Sequence, residues 1–391
     1  MVLLLLSQGK KLITMKIVAD DKIPFLKGAL EPFAEVCYVP GNMITKEIVA
    51  GADALLVRTR TKCNEALLKG SAVKFIGSAT IGFDHIDTVY CEKKNITWAN
   101  APGCNSTSVC QYVVSALLKL SLDKGIGLKG KTLGIVGVGN VGSKVEKAAK
   151  ALGMTVILND PPRAKRENRK CFDSLDAVLE KSDIITLHVP LTLSGENNTF
   201  HLFDDHLFTK IKKKAWLINT SRGEVVCSTA LKKSLNAGII AGAILDVWEN
   251  EPHIDKNLMD NVFIATPHIA GYSSDGKANG TAMIVGSLCR FFNIGLTDWK
   301  PQDIPPPENS TITIATENKS SEEIIGEAVF HSYDISVDNR FLKNSPATFE
   351  KQREKYRIRR EFNSFSVTLQ GENIEAERTL RELGFALVKM K

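Results

Sequence analysis

The sequence predicts an α/β protein of two doubly wound parallel-sheet domains followed by a small α+β unit, and three observations predict it. Short β-branched runs alternate with helical stretches twice along the chain, from Met15 to about Asn100 and from Lys131 to His268. A glycine-rich turn, GVGNVG, opens the second series. A proline cluster, WKPQDIPPPENS, then sets off the remaining residues, since prolines cannot occupy a helix interior.

In the first series KIVAD, EVCYV, ADALLVR, KFIGSA and ITWAN read as strands, with helical patterns such as KEIVAGA and NEALLKG between them. Met15 is the natural start of the first strand, so residues 1–14 are expected to be an extension with no role in the fold. STSVCQYVVSALLKLSLDKG follows NAPGCN, with Ser and Thr capping candidates before an apolar stripe, and predicts one long helix bridging two domains. The second series runs through KTLGIV, MTVILND, DIITLHVP, AWLINTS, IAGAILDV and NVFIATPH, a full set for a Rossmann-like dinucleotide domain. GKANGTAMIVGSLCRFFNIG then predicts a helix returning the chain to the first domain. Beyond the prolines, TITIATEN, AVFHSYDIS and FSVTLQG read as strands and FEKQREKYRIRREF as a charged helix. The expected boundaries are 15–105 with 273–295, 106–272, and 296–391.

Composition narrows the function. Of 391 residues, 43% are hydrophobic and 24% charged, and no stretch approaches a bilayer span, which argues against a membrane protein. The net charge of +6 is mild and scattered, giving nucleic-acid binding no support. Eight cysteines without CxxC pairs predict free thiols and a cytoplasmic protein. MVLLLLSQGKKLIT lacks a leading basic residue and a cleavage site, so it makes a poor signal peptide.

GVGNVG supplies Gly137, Gly139 and Gly142 after a strand and before a helix, and the next strand ends at Asp160. Such a turn brings backbone N–H groups to a pyrophosphate, and the acid holds the ribose hydroxyls. An Asp there repels a 2′-phosphate and favours NAD over NADP, while Arg163 nearby argues the other way. Arg222 in NTSRGE ends a strand at the mouth of the sheet, where its fork can clamp a carboxylate; a surface salt bridge is the bland alternative. His268, one of seven histidines, follows another strand end, and an acid on the preceding loop would orient its ring. Asp246, Glu249 and Glu251 all qualify, and pattern alone does not rank them. His188, ending DIITLHVP, is expected beside the nicotinamide. His201 and His206 lack metal-ligand spacing. Arg58 and Arg60, with Thr59 and Thr61 between and after them, form a candidate phosphate site at a strand end, or simply a solvated one.

The succession GSATIGFDHID, GIVGVGNVG, HVPLT, NTSRGEVV, DVWENEP and TPHIAG resembles the D-isomer-specific 2-hydroxyacid dehydrogenases over residues 15 to about 295. NAPGCNS, HIAGYSSDGKANGT, YDISVDNRF and FEKQREKYRIRREF are similar to the subfamily that oxidises 4-phospho-D-erythronate in pyridoxal phosphate biosynthesis, which extends the resemblance over nearly the whole chain. The resemblance implies that Arg222, Glu251 and His268 are catalytic, that Thr59, Thr80 and Tyr272 contact substrate, and that Asp160, Asp246 and Gly271 contact NAD. It also implies a homodimer through the C-terminal domain. Thr59 stands where relatives commonly have serine, a change that keeps the hydroxyl.

The expected cofactor-binding set is Gly137, Gly139, Asn140, Val141, Gly142, Asp160, His188, Val189, Thr220, Ser221, Asp246 and Gly271. The expected substrate set is Arg58, Thr59, Arg60, Thr80 and Tyr272, with no metal. The expected reaction is NAD-dependent oxidation at C2. Two rivals remain: a dehydrogenase for 3-phosphoglycerate or glycerate, and an NADH-sensing regulatory protein on the same fold.

Overall fold

The computed structural model describes residues 15–167 and 171–389, so the expected extension at 1–14 lies outside the described residues. The chain divides into two compact units. One runs to Cys104 and resumes over Gly276–Ile304; the other holds Asn105–Asp275 and Pro305–Lys391.

In the first unit β1 (Lys16–Asp20), β2 (Glu35–Val39), β3 (Ala54–Val57), β4 (Phe75–Ser78) and β5 (Thr97–Ala99) form a parallel sheet in the order β2-β1-β3-β4-β5. β3 and β4 are buried throughout, as central strands covered on both faces must be. The helix Ser274–Phe291 sends Ile284, Val285 and Leu288 into the same core as Ile17, Leu56 and Phe75. KEIVAGA and NEALLKG yield one-turn helices, Lys46–Val49 and Glu65–Leu68, the second capped by Asn64 accepting from the Leu67 N–H.

The second unit carries β6 (Thr132–Val136), β7 (Thr155–Asn159), β8 (Ile184–Leu187), β9 (Trp216–Asn219), β10 (Gly242–Leu245) and β11 (Ile264–Ala265), all parallel, in the order β11-β10-β9-β8-β6-β7. The strand order reverses between β6 and β8, and a crevice for ligands opens at the carboxyl ends there. β12 (Thr311–Ala315), β13 (Ser366–Gln370) and β14 (Ala386–Leu387) make a separate parallel sheet in the same unit.

The helix Ser106–Lys124 explains why these two sheets belong together. It is apolar on nearly every face, with Tyr112, Val113, Ala116, Leu117 and Leu120 fully buried, and a helix of that kind must be covered all round. One cluster unites it with Leu133 and Ile135 of β6 and with Ile312, Ile324, Val367 and Leu380 of the C-terminal module. Polar groups lock the arrangement: Ser115 Oγ donates to the Tyr333 carbonyl at 2.9 Å, Glu322 accepts from the Leu128 N–H at 2.7 Å, and Thr379 Oγ1 donates to the Ala151 carbonyl at 2.9 Å.

Two elements of the module differ from the sequence expectation. AVFHSYDIS, expected as a strand, is divided between the helices Ser321–Ser332 and Ile335–Asn344. A capping box, Ser320 with Glu323, starts the first of them, a device whose loss costs about 1 kcal/mol. Ile324, Ile325, Ala328 and Val329 then fall on one buried face, overriding the β-branched look of the stretch. FEKQREKYRIRREF is α-helical over Phe349–Glu354 alone and irregular from Tyr356 to Glu361. There Arg357 pairs with buried Asp338, Arg359 donates to the Ser108, Ile269 and Ala270 carbonyls, and Arg360 holds Asp275 in a fork at 2.9 and 3.0 Å. A solvated helix could not turn Arg359 and Arg360 inward in this way.

Candidate active site

The turn after β6 is built by close approach. Gly137 has φ +88°, and a Cβ there would lie 2.6 Å from the His188 carbonyl oxygen; one on Gly142 would lie 2.1 Å from the Gly137 oxygen. Gly139 has open space around it, and Asn140 beside it is exposed. This is a backbone cradle at the N-terminus of the helix Gly142–Ala151, with room over Gly139 for a pyrophosphate. Asp160, just past β7, accepts from the Val138 N–H at 2.8 Å and the Arg163 N–H at 3.0 Å, which fixes its carboxylate beside the cradle. Arg163 forks onto Glu167 at 2.8 and 3.0 Å and also donates to the Val138 carbonyl.

Val189 and His188 follow β8 on the other side of the reversal. The His188 ring nitrogens lie 3.0 Å from Thr186 Oγ1 and 3.2 Å from Thr220 Oγ1, and burial pushes its pKa down to about 3. After β9, buried Asn219 accepts from the Ser221 N–H and hydroxyl at 3.0 and 2.8 Å and donates to the Arg222 carbonyl at 2.9 Å. Arg222 is half-buried and extended, with Nη1 donating to the Ser221 carbonyl at 2.8 Å. Gly223 packs so tightly that an added Cβ would sit 1.9 Å from the Trp248 carbonyl carbon, which ties the arginine loop to the loop after β10.

That second loop carries the three candidate acids, and the structure separates them. Asp246 is buried; it accepts from Thr266 Oγ1 at 2.6 Å and from the Ile269 and Ala270 N–H groups, both at 2.8 Å. Burial raises its pKa against these bonds and the His268 charge. Glu249 lies 2.7 Å from His201 Nε2 and accepts from the Ser228 N–H at 2.8 Å. Glu251 alone of the three reaches His268: Oε2 lies 2.7 Å from Nδ1, and Oε1 accepts from the Trp248 N–H at 2.9 Å. Burial works to raise the Glu251 pKa, but the His268 hydrogen bond and charge, the Trp248 N–H and the Arg353 charge together hold it below the usual carboxylate range. His268 itself has φ +55°, a left-handed conformation kept by its N–H bond to the Asp246 carbonyl at 2.7 Å. Asp246 thus scaffolds the loop that holds His268 in this left-handed conformation beside Glu251. Gly271 is held against Asn105, since a Cβ there would lie 2.0 Å from Nδ2.

The chain matches the family model for the NAD binding domain of D-isomer specific 2-hydroxyacid dehydrogenases over residues 118–270, and one described as a domain of unknown function over residues 304–384. It is 51% identical over 356 residues, 91% of this chain and 99% of the relative, to an erythronate-4-phosphate dehydrogenase of Bacteroides fragilis. The chain belongs to the erythronate-4-phosphate dehydrogenase family. Solved structures agree: the D-lactate dehydrogenase of Aquifex aeolicus, complexed with NAD and lactic acid, has a TM-score of 0.59 at 29% identity and covers 71% of this chain and 95% of its own. The NAD-bound 3-phosphoglycerate dehydrogenase of Entamoeba histolytica has a TM-score of 0.61 at 26% identity and covers 74% of this chain and 99% of its own. The chain is therefore an NAD-dependent 2-hydroxyacid dehydrogenase, and its parallel-sheet architecture is that of the family.

The remaining expected residues lie in two places. Tyr272 is in the second unit with the His–Glu pair, under the guanidinium of Arg353. Arg58, Thr59, Arg60 and Thr80 are in the first unit, just past the ends of β3 and β4. Arg58 donates to the Lys22 carbonyl at 3.3 Å; Thr80 Oγ1 lies 2.7 Å from Ser78 Oγ and donates to the Gly82 carbonyl at 3.0 Å. Lys277, passed over in the sequence reading, joins them: burial first, then the Arg58 charge, lower its pKa. Its signal was the lysine in DGKANGT, hidden because helix periodicity does not show which strand ends a helix start will meet. Among the described residues no helix is long and apolar enough to cross a membrane, and no group of three His, Cys, Asp or Glu could hold a metal.

Proposed function

We propose that the chain oxidises 4-phospho-D-erythronate at C2 to (R)-3-hydroxy-2-oxo-4-phosphooxybutanoate, a step of pyridoxal 5′-phosphate biosynthesis in the cytoplasm. The observation that carries the chemistry is the 2.7 Å contact between His268 Nδ1 and Glu251 Oε2. With Nδ1 committed to the carboxylate, Nε2 is left to take the C2 hydroxyl proton, and Glu251 stabilises the imidazolium that forms. Arg222 clamps the C1 carboxylate, while Arg58, Arg60 and Lys277 attract the distal phosphate. Fixing both ends of the substrate converts its approach into an oriented, effectively unimolecular step.

The residues present fit NAD: the Gly137–Gly142 cradle with Asn140 and Val141 for the pyrophosphate, Asp160 for the ribose, and His188, Val189, Thr220 and Ser221 along the nicotinamide side. When bound, NAD accepts the hydride from C2. The reading includes a homodimer through the C-terminal module, as the resemblance implies.

The test compares NADH formation from 4-phosphoerythronate, 3-phosphoglycerate and erythronate, with a trap for the 2-oxo acid. A kcat/KM for the first at least about a hundredfold above the others is expected. Equal rates with erythronate would remove the phosphate role of Arg58, Arg60 and Lys277, and silence on all three would overturn the enzyme reading.

A further inference from the structure

The C-terminal module packs a charged side chain on the loop that bears His268. Arg353, on the short helix Phe349–Glu354, has a side chain only 22% exposed. Its guanidinium carbon lies 5.7 Å from the centre of the Tyr272 ring and 5.9 Å from that of Phe349, and Nη1 donates to Glu350 Oε1 at 2.7 Å. Tyr272 belongs to the HIAGY loop that bears His268. Its ring meets Tyr356 edge-on at 5.9 Å, and the Tyr356 hydroxyl donates to buried Asp338 at 2.8 Å, so the platform under the guanidinium is itself held.

An ordinary ion pair with Glu350 is the simplest account of this arginine, and it falls short. Arg353 buries Nε with no hydrogen-bond partner among the described residues, a cost that an exposed surface pair would avoid. The charged and titratable groups felt at Arg353 include Tyr272, Glu350 and Glu251; those felt at Glu251 include His268 and Arg353; and His268 acts on Asp246 as well. The cation therefore sits where the catalytic carboxylate feels it.

We propose that Arg353 is a positioning residue of the active site: packed over the Tyr272 ring, its guanidinium is the fixed positive charge against which the Glu251–His268 pair works. This gives the domain of unknown function a part in the chemistry, and it rests on the reading of His268 and Glu251 as the acid/base pair. The physical consequence has a sign. A nearby cation favours the ionised Glu251 carboxylate and opposes a further positive charge on the pair. Removing it moves the acid limb of the oxidation to higher pH; strengthening it moves the limb lower.

The experiment measures kcat/KM for 4-phosphoerythronate against pH, with saturating NAD, for the full chain and three variants. Arg353→Met is expected to fall about tenfold near pH 7 and to recover to within about twofold near pH 9. Arg353→Lys keeps the charge and leaves the limb in place. Glu350→Gln removes the anion that shares the guanidinium and shifts the limb the opposite way, which decides the matter even if Arg353→Met fails to fold. A pH-independent loss in Arg353→Met, shifts of the same sign in Arg353→Met and Glu350→Gln, or no shift in either overturns the proposal and leaves the acid/base reading standing. His268→Ala with normal turnover would instead overturn that reading and the proposal with it.

Discussion

Glu249 and Glu251 stand on one loop and serve different histidines: Glu249 Oε1 lies 2.7 Å from His201 Nε2, and Glu251 Oε2 lies 2.7 Å from His268 Nδ1. Asn250 between them has φ +62°, a left-handed turn that Asn tolerates better than most residues. Removing the two carboxylates should therefore separate structure from chemistry. Glu251→Gln is expected to lower kcat/KM about a hundredfold or more, since the imidazolium loses its counter-charge, whereas Glu249→Gln should stay within about threefold. Steady-state kinetics of both variants checks this, and equal losses would remove the distinction.

Much of the fold and part of the candidate site's geometry are legible in the sequence. The strands of both doubly wound sheets show as apolar runs because central parallel strands are covered on both faces, and GVGNVG announces its turn because only glycine tolerates the contacts at Gly137 and Gly142. The ranking of Asp246, Glu249 and Glu251 was not legible from pattern, because Asn250 turns adjacent side chains to opposite partners. AVFHSYDIS misled because its β-branched and aromatic residues suit a strand, while the capping box before it and the burial of Ile324 and Val329 decide for helix. FEKQREKYRIRREF misled for a related reason. Its charge pattern reads as a helix in sequence, and only tertiary contact shows Arg359 buried and bonded to the Ser108 and Ala270 carbonyls.

His188 should mark the acid side of the stability profile. Its pKa is pushed down to about 3 by burial, from an ordinary 6.5. A depressed value means that the stabilisation is complete above the unfolded pKa and is lost as pH falls toward the folded one, because the unfolded chain takes up the proton first. Between pH 7.5 and 5.5 the stability advantage of wild type over His188→Gln should shrink by roughly 1 kcal/mol. Guanidinium unfolding at the two pH values measures it; an unchanged difference would mean that the ring titrates in the folded protein as it does in the unfolded chain.

Two glycines should respond in opposite ways to a methyl group. At Gly223 an added Cβ would lie 1.9 Å from the Trp248 carbonyl carbon and 2.5 Å from the Glu249 nitrogen, and neither backbone can yield without moving the loops of Arg222 and Glu251. Gly223→Ala should lower stability by about 2–3 kcal/mol and turnover with it. At Gly139 no atom lies within 4 Å, so Gly139→Ala should leave the melting temperature unchanged and raise the KM for NAD, because the methyl group occupies the approach to the pyrophosphate. Thermal melts and cofactor titrations of the pair test both halves. A stable, active Gly223→Ala would show that the arginine and glutamate loops are not coupled through this contact.

Cofactor choice turns on Asp160 and on what restrains Arg163. The Asp160 carboxylate is fixed by the Val138 and Arg163 N–H groups, and the Arg163 guanidinium, a group suited to a 2′-phosphate, is forked onto Glu167 at 2.8 and 3.0 Å. An anion in place and a cation already neutralised both act against NADP. Wild type should therefore prefer NAD over NADP by about a hundredfold or more in kcat/KM. Asp160→Ser combined with Glu167→Ala removes the repulsion and frees the arginine, and should narrow that ratio by about tenfold or more, through a lower KM for NADP rather than a higher kcat. If the double variant kept the full preference, discrimination would have to come from elsewhere than the end of β7. If wild type used both cofactors equally, Asp160 would not be reading the ribose at all.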